Sequence, residues 1–151
     1  MTDPQDLLSD SALTSFRLNG QFMALAEQLA EPAGLTATRW QVLGAILGEP
    51  LTVSDIARTM GITRQSVQRT ADVLAAHGLV AYHDNPAHRR AKLVEATDAG
   101  RDAVHRINPG HAALAAQLCG HLGVERWEAA LAGLRDLSAA LESLEAAKSP
   151  N

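Results

Sequence analysis

LTVSDIARTMGITRQSVQRTADVLAAHG, residues 51–78, reads as two short amphipathic helices joined at a tight turn. Thr52 is placed to cap the first helix, with Asp55 three residues later as a capping-box-like acid, and the pattern runs to about Met60. Gly61 supplies the left-handed turn that stops it. Thr63 then caps a second helix ending near Gly78, in which Val67, Ala71 and Leu74 recur at spacings of three and four on one side. Arg64, Gln65, Gln68, Arg69 and Asp72 fall on the other side and face outward. A short helix, a glycine turn and a longer helix make a helix-turn-helix, whose second helix enters the DNA major groove with its N-terminal residues at base edges. Arg pairs with guanine, and Gln with adenine, through two hydrogen bonds each. An amphipathic helix pair also occurs in any small helical protein, so this stretch alone leaves both readings open.

The segment after Gly78 separates them. There the period changes: residues 79–83 and 92–96 read as two strands, and the eight residues between them form a long polar loop. This hairpin places Arg89 and Arg90 at its tip, where a guanidinium can enter the adjacent minor groove. An ordinary helical protein has no reason to place a basic hairpin directly behind such a helix.

Charge is distributed in the same sense. The chain carries 13 basic and 17 acidic residues, a net −4. Residues 58–92 hold six basic residues (Arg58, Arg64, Arg69, Arg89, Arg90, Lys92) against Asp72 and Asp84, a local +4, which leaves −8 on the remainder. A cationic segment on an acidic body steers one face toward phosphates. At 151 residues, 46% hydrophobic and 20% charged, the composition fits one soluble domain with a real core. No apolar run approaches the ~20 residues of a membrane span, and MTDPQDLL lacks the regions of a signal peptide, so a cytoplasmic location is expected.

Outward from this centre the chain is helical. Residues 1–9 carry no strong pattern and are expected to form a mobile or loosely docked arm. Between about residues 10 and 30, Leu18, Phe22, Leu25 and Leu29 keep a spacing near 3.5, and Pro32 and Gly34 close the helix. Thr36 caps a helix to about Leu47, with Trp40, Leu43, Ile46 and Leu47 turned inward. Beyond the hairpin, Thr97 caps a helix starting at Asp98, with Val104, Ile107, His111, Leu114 and Leu118 on one seam and a kink or break expected at residues 107–110 because of Pro109. The last segment, about residues 124–147, sets Trp127, Ala130, Leu134, Leu137, Leu141 and Leu144 on a narrow stripe suited to a partner helix, with packing inside the same chain as the alternative.

Three stretches, LTATRWQVLGAI, LTVSDIARTMGITRQSVQRTADVLAAHGLV and NPAHRRAKLVEATDAG, together resemble the MarR-type winged helix-turn-helix transcriptional regulators over about residues 35–102. The resemblance implies a mainly α fold with a small β-hairpin wing, a recognition helix at residues 63–77 and a wing-tip arginine at Arg90. Two departures are visible: His88 stands two positions before Arg90, where the family usually has an acid, and Ala96-Thr97 stands where it has Leu-Thr. Asp84 is the acid left to orient Arg90, and His88 can add a pH-sensitive phosphate contact. The expected double-stranded DNA contacts are Thr63, Arg64, Gln65, Ser66, Gln68, Arg69, His88, Arg89, Arg90 and Lys92.

A single domain over residues 1–151 is expected, with a winged lobe at 35–100 and a helical dimerisation region at 10–31 and 104–147. The resemblance implies that the first and last helices of two chains interlock, through Leu18, Phe22, Trp127, Leu134, Leu137, Leu141 and Leu144. One helix-turn-helix reads few base pairs, so a homodimer on a pseudo-palindromic operator is the physical expectation as well. By the same resemblance a small aromatic or phenolic effector would meet Phe16, Arg17, Trp40 and His111, and the outcome would be repression.

Other chemistries find little support. Cys119, the one cysteine, lies in an apolar stretch with His121 near it and reads as an inert thiol rather than a redox switch. The six histidines include no pair at helical i,i+4 spacing, and His83 with His88 flank a wing loop, so no metal and no cofactor is expected. There is no glycine-rich phosphate loop and no nucleophile elbow, which argues against an enzyme. A winged lobe that binds protein instead of DNA is the remaining rival, and it predicts a recognition helix without Arg64 and Arg69.

Overall fold

The first helix starts earlier than its apolar spacing predicts. In a computed structural model, which describes residues 1–149, helix α1 runs Pro4–Ala30 and leaves no arm of nine residues. The cause is cap chemistry: the Asp3 carboxylate accepts the Gln5 backbone N–H at 3.0 Å, and Pro4 occupies the first helical position, where its missing N–H costs nothing. A 3-10 turn, Glu31–Ala33, and Gly34 at φ 72° close it.

Helix α2 (Ala37–Ile46) begins at Thr36, whose hydroxyl accepts the Arg39 N–H at 3.2 Å, while Glu27 of α1 accepts the Ala37 N–H at 2.8 Å. Two acceptors thus satisfy the positive end of one helix and fasten α1 to α2. Leu51 and Thr52 form a two-residue strand, β1, before helix α3 (Val53–Met60). Thr52 caps α3 as expected, accepting the Asp55 N–H at 3.1 Å. Asp55, however, lies 3.4 Å from Arg58 and closes no capping box: a cation one turn on the same face competes for its carboxylate.

Gly61, at φ 67°, ends α3 and Thr63 caps α4 (Arg64–Ala76) through the Ser66 N–H at 3.1 Å. The strands β2 (Val80–His83) and β3 (Leu93–Ala96) pair antiparallel, with Val80 opposite Ala96 and His83 opposite Leu93. The sheet is three-stranded in the order β1-β3-β2, because Leu51 and Thr52 pair with Val94 and Leu93. The wing is therefore anchored to the start of α3 and is more than a free hairpin.

The fully buried side chains come from the three helices and the central strand of this lobe: Val42, Leu43 and Ile46 on α2, Ile56 on α3, Val67, Ala71 and Leu74 on α4, and Val94 on β3. Helix α5 (Asp98–Leu122) adds Ala103, Val104 and Ile107. Thr97 holds its start in place: the hydroxyl donates to the Gly78 carbonyl at 2.6 Å and accepts the Gly100 N–H at 3.1 Å. Arg101 reaches back from α5 to donate to the Leu47 carbonyl at 2.9 Å, satisfying an acceptor just past the end of α2.

The chain divides into two compact units, Met1–Pro109 and the remainder from Gly110. Pro109 lies inside α5, and of the kink or break expected at residues 107–110 the break does not occur. Asn108, Pro109 and Gly110 are all exposed, so water can take the bond that the ring denies to the His105 carbonyl. In the second unit Gly123, at φ 81°, turns the chain into α6 (Val124–Lys148). Trp127 is half-buried, and Leu131, Leu134, Leu137, Leu141 and Leu144 are all exposed.

Candidate nucleic-acid interface

The inward spacing of Val67, Ala71 and Leu74 fixes the rotation of α4, and with it what α4 shows to solvent: Arg64, Gln65, Gln68, Arg69 and Asp72 are exposed. The sheet then carries the wing back beside the N-terminal half of this helix. Thr52, Val53 and Ser54, Arg64, Gln65 and Gln68, Tyr82, and Arg90, Ala91 and Lys92 line one cleft of about 760 Å³. Residues 26 apart in sequence, Arg64 and Arg90, thus face one space. Among the described residues no ion pair or side-chain hydrogen bond engages Arg64, Arg90 or Lys92. Asp84 does not orient Arg90 as expected; the arginine stays uncommitted and exposed.

The remaining expected contacts sit around this cleft. The Thr63 hydroxyl is occupied in capping α4, and Ser66 is half-buried. Arg69 is exposed one turn past Gln65. His88 and Arg89 are exposed in the wing loop, which Asn85 organises by accepting the Ala87 N–H on its side chain at 3.0 Å and the His88 N–H on its carbonyl at 3.1 Å. His83, by contrast, lies 2.7 Å from Glu95 across the sheet. Of the residues expected to meet an effector, Phe16 and Arg17 are exposed on α1, Trp40 is half-buried against the core and His111 is exposed on α5.

One group was missed by reading the sequence. Tyr82 donates to the Asp72 carboxylate at 2.5 Å, and the Gln68 amide nitrogen donates to the same carboxylate at 2.9 Å and to the Tyr82 hydroxyl at 3.1 Å. Asp72 is thereby held below its ordinary pKa of 3.8, chiefly by the Tyr82 bond and next by Gln68. Tyr82 is pushed well above its ordinary 10.0 by burial first, then by the bond to Asp72 and its charge. The signs set two pH limits: the Asp72 contribution is lost as pH falls below 3.8 toward its lowered value, and that of Tyr82 as pH rises from 10.0 toward its elevated value.

Residues 33–91 match the model of the MarR family. An uncharacterized protein of Mycobacterium tuberculosis is 39% identical over 92 residues, which is 61% of this chain. The chain spans about 64% of the length of that relative. A MarR family transcriptional regulator from Streptomyces coelicolor superposes with a TM-score of 0.71 at 28% identity, over 89% of this chain and 95% of that one. The M. tuberculosis regulator MosR, solved in complex with DNA, superposes with a TM-score of 0.74 at 26% identity, over 88% and 96%. The winged lobe, residues 33–91, is thus similar to that of MarR-family regulators.

Within this winged lobe Tyr82 is the chain's single tyrosine, so its ionisation can be followed alone. In an alkaline titration of the near-ultraviolet phenolate absorbance, the wild type is expected to ionise well above pH 10.0. Asp72→Asn should bring the midpoint down toward that ordinary value. A wild-type midpoint already there would show that the network does not form in solution.

Proposed function

We propose that the chain is a non-enzymatic transcriptional regulator that binds double-stranded DNA sequence-specifically, with α4 in the major groove and the wing on the flanking backbone or minor groove. The observation that supports this best is the convergence of Arg64, Gln65 and Gln68 with Arg90 and Lys92 on one cleft, where these cations have no ion-pair partner among the described residues. Groups that hydrogen-bond base edges then stand beside groups that meet phosphates, the division of labour that groove recognition requires. MosR, a relative by fold and sequence, carries DNA in its solved complex.

Arg64→Ala should cost roughly 1–3 kcal/mol on the selected site and relax the preference at one base. Arg90→Ala should weaken binding to all duplexes and reduce the slope of log K against log salt by about one. Fluorescence anisotropy with duplexes over a salt series measures both; an unchanged slope in Arg90→Ala would remove the wing from the interface.

A homodimer would join the apolar faces open on α1, where Phe16 and Phe22 are exposed, and on α6. Two copies would present two α4 helices to half-sites one helical turn apart or a multiple of it. Repression and release by a small aromatic ligand are carried by the family resemblance, and a cytoplasmic location by the lack of a membrane-span or signal-peptide pattern in the sequence; a thermal-shift screen with phenolic acids tests the ligand.

A further inference from the structure

Gln68 stands on the exposed face of α4 with both hydrogens of its side-chain amide already given, one to Asp72 and one to Tyr82. Chemistry fixes which end of the amide faces them. An ionised carboxylate only accepts hydrogen bonds, so the Gln68 atom 2.9 Å from Asp72 must be the nitrogen. The Tyr82 hydroxyl gives its one hydrogen to Asp72, so toward Gln68 it can only accept. The amide oxygen is what Gln68 has left, and among the described residues nothing donates to it.

We propose that Asp72 and Tyr82 are positioning residues that make Gln68 an acceptor-only reader, selecting a base that offers a donor in the major groove: the exocyclic amino group of adenine or cytosine. The inference rests on the DNA-binding function proposed for this face. A glutamine free to turn could take adenine through two bonds, or donate to the acceptor edges of guanine and thymine. With its donors occupied it does neither. Guanine O6 and thymine O4 would meet the amide oxygen acceptor to acceptor, so the selection works partly by repulsion. Gln68 and Tyr82 line the same cleft as Arg64 and Arg90, which puts this side chain among the other reading groups.

The test is selection from random duplex DNA by the full chain, run in parallel for wild type, Gln68→Ala, Asp72→Asn and Tyr82→Phe. One position of the half-site should lose its preference in Gln68→Ala, and the wild type should favour adenine or cytosine there over guanine and thymine by roughly tenfold. Asp72→Asn, whose own amide can donate and lets Gln68 turn over, should abolish that discrimination while the rest of the half-site keeps its preferences. Tyr82→Phe should weaken it. Guanine or thymine at the Gln68 position, or a preference identical in Asp72→Asn, overturns the proposal and leaves DNA binding standing. If no protein enriches any duplex, the DNA-binding function falls and takes this one with it. The phenolate titration of Tyr82 is an independent check: an ordinary midpoint in the wild type removes the clamp whatever the DNA shows.

Discussion

Gly100→Ala is expected to lower the unfolding free energy by about 3 kcal/mol, one of the two largest single effects anticipated in the molecule. A methyl group on Gly100 would overlap the Leu79 carbonyl oxygen and lie 3.2 Å from Leu43 Cδ2. The same carbonyl accepts the Thr97 N–H at 3.1 Å, so the start of α5 and the end of the α4 turn are held at this distance and cannot part without losing that bond. Relief must come from the backbone, which yields far less readily than a side chain. Urea unfolding followed by circular dichroism measures it. A midpoint within the error of wild type would mean that the α5 start can shift freely, and the packing described for the lobe would be wrong.

Gly100 also shows what sequence reading can and cannot reach. A glycine in the first turn of a helix carries no local signal of close approach, because the atom it avoids belongs to a residue 21 positions earlier. Thr52 and Thr63 were legible as caps, since the partner N–H lies three residues on in each case. The wing strands were legible from their change of period, and the recognition face from the inward spacing of Val67, Ala71 and Leu74. β1 was not: two residues are too short to show alternation. The Arg101 bond to Leu47 spans 54 positions, and the Asp72–Tyr82 bond joins a helix to a strand. In each of these the missing information is tertiary. The early start of α1 is a different case, since the Asp3-Pro4 cap is local and stands in the sequence, and a reading built on apolar periodicity passes over it.

Leu137→Glu combined with Leu141→Glu is expected to convert the proposed homodimer into a monomer, weakening self-association by more than about 100-fold. Helix α6 is 25 residues long, some 37 Å at 1.5 Å per residue, and it leaves Leu131, Leu134, Leu137, Leu141 and Leu144 from 40% to 61% exposed in the single chain. A stripe of this kind at spacings of three and four matches a partner helix and is costly to leave in water. Two carboxylates placed there would be buried without partners on association. Sedimentation equilibrium of variant and wild type decides the matter, with circular dichroism confirming that α6 persists. A variant that remains dimeric would locate the interface elsewhere. The monomer should also lose most of its affinity for a symmetric site, because each lobe would then bind alone.

The most direct measurement is the symmetry of the DNA that the purified chain selects from a random duplex pool at low ionic strength. Two inverted half-sites, with centres about 34–36 Å apart or a multiple of it, are the predicted result. Selection of a single unsymmetric half-site would contradict the paired reading heads, and failure to enrich any duplex would contradict the assignment of Arg64, Gln68 and Arg90 to nucleic acid altogether.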